Sequence, residues 1–277
     1  MYILDKFEIR KNAVVELPHV MLLVDDAGKH VIEPCAFEKE NLPLLYDFDL
    51  MLGGGHLRGY LLGEKEQERI QKALSFLADA KCFGDKYHVK NRPVLLFAVG
   101  DGNHSLATAK TCWEEIKKEL SEEEIKTHPA RFALVELMNI HDETLEFEPI
   151  QRVIFETEPK KLLDELVAFY GAEYEDNGGQ RIDYTYGGNE GSIYIKNTDS
   201  NLPVGTLQKF LDKYLAENGG KIDYIHGNDV VRNLAKADNT IGFMVDSMEK
   251  NDLFTTVIKD GSLPRKTFSM GEAADKR

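Results

Sequence analysis

Residues 93–99 read PVLLFAV, and they run without a break into Gly100-Asp101-Gly102-Asn103-His104-Ser105 and then LATAKTCWEEIKKEL at 106–120. The first seven are apolar almost throughout, as in a strand covered on both faces. The glycines turn the chain. Leu106, Ala109, Trp113, Ile116 and Leu120 then recur at helical spacing, with Lys117 and Lys118 in the last turn, where the helix dipole favours cations. Residues 133–138 (ALVELM) read as the next strand. Strand, glycine loop, helix and strand predict an α/β (α+β) chain with a mixed sheet, these two strands lying parallel through a right-handed crossover.

Working outward, residues 19–24 (HVMLLV) read as a strand stopped by Asp25, Asp26 and Gly28, with 29–33 returning as its hairpin partner. Ile70, Ala73, Leu74 and Leu77 place a helix over 64–80. After an acidic stretch at 139–148, helical spacing returns at 159–170, 203–216, 229–237 and 248–259, with short strands at 181–186, 192–196, 222–226 and 240–245. The change of rhythm near 151–158 predicts two subdomains, 1–155 with the glycine-rich loops and a smaller α/β subdomain at 156–277.

The charge sum of 34 Lys+Arg against 48 Asp+Glu, −14 in 277 residues, argues against nucleic-acid or anionic-membrane partners. No apolar run reaches the ~20 residues that span a bilayer, and the first twenty residues hold no signal-peptide core, so a cytoplasmic protein is expected. Cys35, Cys82 and Cys112 are scattered and give neither a disulfide framework nor a zinc site.

A helix that starts from a glycine turn points unpaired N–H groups and a positive dipole end at the turn, which suits a phosphate or carboxylate. Here Gly100 and Gly102 would let the backbone approach the anion, with Asn103 and Ser105 along the cradle. Asp101 would hold magnesium or an acceptor hydroxyl, and His104 would donate to a bound oxygen. The plainer alternative is a helix cap by Asp101 or Asn103. The dinucleotide fingerprint is missed, because Ser105 replaces its third glycine, and no Walker A sequence occurs.

Three further segments carry candidate residues. GGGHLRG at 53–59, with Gly54, His56 and Arg58, follows Tyr46-Asp47-Phe48-Asp49 and reads as a ligand loop or a mobile one. EPIQR at 148–152 offers Glu148 as a base and Arg152 as an anion clamp, or else an exposed ion pair. Arg265 and Lys266 make a positive spot toward the C-terminus, or a solvated tail.

Taken together, ELPHV at 16–20, YDFDLMLGGGH at 46–56, LLFAVGDGNHSLATAK at 95–110, EPIQRVIF at 148–155 and LPRKTFSMGEAADKR at 263–277 resemble one family, the bacterial and archaeal domain-of-unknown-function family ten-fifteen. The resemblance covers the whole chain. It implies that a segment usually precedes Met1, so the chain looks N-terminally shortened, and that Gln151 stands where relatives carry His. The Asp-Gly-x-His turn is similar to that of the ParB/sulfiredoxin superfamily, whose members bind nucleotide phosphates there and include free-serine kinases. That similarity implies ATP or ADP with magnesium and phosphoryl transfer to a small alcohol. Arg usually follows the His in that superfamily. Ser105 stands there in this chain, leaving Arg58, Lys110, Arg152 or Arg265 as candidate clamps. The alternatives are a nucleotide- or anion-sensing module acting through a protein partner, a reading compatible with a homo-oligomer, and a nuclease, which the net charge opposes.

Overall fold

The computed structural model of the chain describes residues 10, 13, 20–198 and 200–270. The starts of the 16–20 and 19–24 stretches and the 271–277 end of the C-terminal stretch lie outside them. The chain is a mixed α+β protein of two compact units, the first ending at Leu145 before the second begins at Glu146.

In the first unit the chain runs β1 (Met21–Val24), α1 (Glu33–Phe37), β2 (Leu44–Asp49), β3 (His56–Tyr60), α2 (Glu64–Leu77), α3 (Ala80–Tyr87), β4 (Phe97–Asp101), α4 (Asn103–Ile116), α5 (Glu122–Thr127) and β5 (Glu136–Asn139). Its main sheet has the order β4-β1-β5. The MLLV run supplies the central strand, and Leu23 and Val24 are fully buried. β1 is antiparallel to β4, from Met21↔Asp101 to Val24↔Phe97, and parallel to β5, from Met21↔Glu136 to Val24↔Asn139.

The structure corrects four expectations. The strands around the glycine turn are not a parallel pair, because β1 stands between them and β4 runs the other way. β4 starts at Phe97 and takes in Gly100 and Asp101, so the turn narrows to Gly102, and as an edge strand β4 is only partly covered. Residues 29–33 form no hairpin strand. The buried Asp26 carboxylate accepts from the backbone N–H groups of His30 (2.5 Å) and Val31 (2.7 Å), which uses the amides a ladder would need and sends the chain into α1. The helix expected over 64–80 ends at Leu77, and Asp79, which accepts from Lys81 N and Cys82 N, starts α3.

The second unit holds β6 (Glu148–Phe155), α6 (Pro159–Tyr170), β7 (Gln180–Tyr186), β8 (Asn189–Ile195), α7 (Pro203–Asn218), β9 (Lys221–His226), α8 (Asn228–Leu234), β10 (Ile241–Met244), α9 (Asp252–Asp260) and β11 (Phe268–Ser269). Its sheet has the order β11-β6-β10-β7-β8, with β9 also paired to β6, and all these pairs are antiparallel. Val153, Ile154, Ile182, Ile193 and Phe243 are fully buried on the strands, as are Leu162, Leu166, Leu207 and Leu211 on α6 and α7. Gly242 lets α8 lie close, since a Cβ there would sit 2.3 Å from Val231 Cγ1. No helix among the described residues is long and apolar enough to cross a membrane.

Candidate functional site

β4 delivers Asp101 to the Met21 end of the three-stranded sheet, and Gly102, at φ 88° and ψ 12°, turns the chain into α4. An L side chain rarely adopts that left-handed conformation, which explains the glycine. The N-cap of this 14-residue helix is Gly102 itself, which has no side chain to offer. Asp101 Oδ1 accepts from the N–H of Gly102 at 2.7 Å and so closes the turn. Asn103 and His104 are exposed. Arg10 Nη1 donates to the Ser105 carbonyl at 2.8 Å, placing a cation beside this end. Glu136 shares a register row with Asp101 across Met21, which brings a second carboxylate to the same end of the sheet. Arg10 and Glu136 escaped the sequence reading because only strand pairing and folding place them here. A helix start of this kind is the sort of place where backbone N–H groups and the dipole favour an oxyanion, here with a carboxylate and an imidazole beside it.

The triple glycine is the tip of the β2–β3 hairpin. Gly53 (φ 72°) and Gly55 (φ 93°) need glycine there, whereas Gly54 is in ordinary backbone and donates to Met51 O at 3.0 Å. His56 bridges two carboxylates, with Nδ1 2.6 Å from Asp49 and Nε2 2.5 Å from Asp47, while Arg58 Nε donates to Asp47 at 2.9 Å. The Asp49 and Asp47 hydrogen bonds raise the His56 pKa above its ordinary value. Two cations expected to meet a ligand are therefore engaged within the hairpin.

Glu148, Arg152, Arg265 and Lys266 belong to the second unit. Glu148 pairs with Ser269 at the start of β6. Arg152 is fully buried and donates to Gln208 Oε1 (3.2 Å) and to the carbonyls of Ile150, Arg265 (3.0 Å) and Lys266 (2.8 Å). Burial lowers its pKa to about 10. The residue expected as an anion clamp or in an exposed ion pair is thus covered, and Arg265 itself pairs with Asp212.

A polar cluster at the opposite, Val24 end of the first sheet was read only as turn and loop. Asp25, 14% exposed, receives Lys86 Nζ at 2.8 Å, the Tyr87 hydroxyl, and His141 Nε2 at 2.6 Å. Burial pushes the Asp25 carboxyl up, but these hydrogen bonds together hold it below its ordinary value, and burial with Asp25 raises the Tyr87 phenol. The signal that finds this group is polar residues just past the carboxyl ends of two parallel strands, where open α/β sheets gather them. Among the described residues no group of three or more His, Cys, Asp or Glu forms a metal site.

The sequence profile described as "Protein of unknown function (DUF1015)" matches residues 3–214. No curated protein matches the chain. Among solved structures the fold is similar to that of a free serine kinase mutant in complex with ADP, at 14% identity and TM-score 0.42, covering 64% of this chain and 68% of that one. A conserved hypothetical protein from Pyrococcus furiosus gives 14% identity, TM-score 0.42 and coverages of 64% and 71%. SbnI with a C-terminal truncation, from Staphylococcus aureus, gives 11%, 0.44 and 64% of each chain. A likeness this remote says nothing of activity.

Proposed function

The chain belongs to the DUF1015 family of proteins of unknown function, and from that premise we propose that its first unit binds the phosphates of ATP or ADP at the start of α4 and passes a phosphoryl group to a small hydroxyl acceptor, such as free serine. The observation that carries this reading is the 14-residue helix that starts from a left-handed Gly102, an N-cap with no side chain. The amides of Asn103, His104 and Ser105 would receive the terminal phosphate oxygens, and His104 would donate to the group in transfer. Magnesium bound with a nucleotide takes one or two protein carboxylates and completes its shell from phosphates and water, a mode that Asp101 fits. When bound it would neutralise phosphate charge. Asp101 would also orient the acceptor hydroxyl.

A second reading, a nucleotide- or anion-sensing module without chemistry, is favoured by the engagement of His56 and Arg58 with Asp47 and Asp49. The test is ADP release from ATP over a panel of hydroxyl metabolites including serine, beside an Asp101→Ala variant. Turnover in the wild type that falls at least about 100-fold in a folded variant supports transfer, on the scale expected when a charge-stabilising group is lost. Turnover unchanged in the variant removes Asp101 from the chemistry, and nucleotide binding without turnover by any acceptor supports the sensing module.

A further inference from the structure

Arg152 is an anomaly independent of the α4 start. It is fully buried, yet its hydrogen bonds go to neutral acceptors: an amide oxygen and three main-chain carbonyls. A buried cation is ordinarily balanced by an anion. The nearby carboxylate of Asp212 is held by Gln208 and Arg265.

Two of the carbonyls come from one short segment, residues 263–270, which reaches the sheet through the two register pairs Phe268↔Pro149 and Ser269↔Glu148. Lys266 holds the left-handed φ of 54°, uncommon for a side-chain-bearing residue, and the successive carbonyls of Arg265 and Lys266 converge on the single nitrogen Nη2 of Arg152. Beneath the guanidinium, Tyr224 is the register partner of Arg152 on β9, with its ring centre 5.4 Å from the guanidinium carbon. The Tyr224 hydroxyl is buried and has no hydrogen-bond partner among the described residues. A guanidinium whose hydrogen bonds among the described residues reach no carboxylate and an orphaned hydroxyl donor share one face of the sheet, under a cover whose carbonyls imitate the oxygens of an anion.

We infer that Arg152 and Tyr224 form the floor of a second oxyanion site, suited to a phosphoryl group, and that the 263–270 segment closes it by setting two carbonyls where ligand oxygens would bind. The guanidinium fork suits a phosphoryl group. Opening requires release of Phe268 from Phe147, on which it stacks at 4.1 Å and 15°.

The test uses the full chain, titrated with inorganic phosphate and separately with AMP, followed by phosphorus NMR and by hydrogen exchange at Thr267 and Ser269. A Phe268→Ala variant loosens the cover and should bind phosphate about tenfold more tightly than the wild type, because a larger fraction of molecules is open. Adding Arg152→Met should abolish the gain, and phosphate should speed exchange at Thr267 and Ser269 in the wild type. Tighter binding of AMP than of phosphate would identify a nucleotide-borne group, whereas equal affinity would identify the free ion. Equal phosphate affinity in Phe268→Ala and wild type would overturn the inference, as would binding that survives Arg152→Met. Should the Arg152 variant fail to fold, the comparison of Phe268→Ala with wild type decides alone.

Discussion

Replacing Gly102 by Ala tests the local geometry on which the functional reading stands. At φ 88° and ψ 12° the residue lies in left-handed backbone, where a Cβ crowds the following carbonyl at a cost of about 1–2 kcal/mol. For a chain of this size each kcal/mol lowers the melting temperature by about 2–4 °C, so thermal denaturation should show a fall of about 2–8 °C. Asn, which tolerates left-handed backbone through local hydrogen bonding, should fall less than Ala. The same order should hold for loss of ADP affinity, because a shifted turn moves the amides of the helix's first turn. An Ala variant that melts with the wild type, or an Asn variant as damaged as Ala, would refute the left-handed turn.

Asp25→Ala removes the acceptor shared by Lys86, Tyr87 and His141 and should destabilise the first unit by about 2–4 kcal/mol, as read by urea denaturation. Because the Asp25 pKa is lowered from 3.8, its contribution is present above that value and is lost as pH falls through the lower folded one, so the variant's acid denaturation should be shallower. The His56 pKa is raised from 6.5, so its contribution to hairpin order is complete below that value and is lost as pH rises through the raised one. A proton NMR titration of the imidazole should show a midpoint above 6.5 that drops in Asp49→Asn. Gly242→Ala would set a Cβ 2.3 Å from Val231 and should cost about 1–3 kcal/mol by overpacking, partly restored by Val231→Ala in the double variant.

Much of the second unit was legible because its punctuation is local. The helix at 159–170 begins with Pro159 in its first turn and stops at Gly171, which holds φ 61°. The first unit resisted for a different reason: β1 enters between β4 and β5 through pairings far apart in sequence, which no periodicity encodes. Residues 29–33 look like a strand until Asp26 takes two of their amides. Arg152 read as an anion clamp or half of an exposed ion pair, although alternation in a strand puts it on one face with Ile150 and Ile154, both buried. At the α4 start, Gly102, Asp101 and His104 were legible from the glycine turn, whereas Glu136 and Arg10 reach that end of the sheet only through the fold.

The most direct measurement is a titration of the full chain with magnesium and ADP, followed at the backbone amides of Asn103, His104 and Ser105 by nitrogen–proton correlation NMR. Phosphates seated on the start of α4 should shift these three amides together, saturably, and more than the rest of the chain. ADP that leaves them unmoved, whether it binds elsewhere or not at all, would contradict the account.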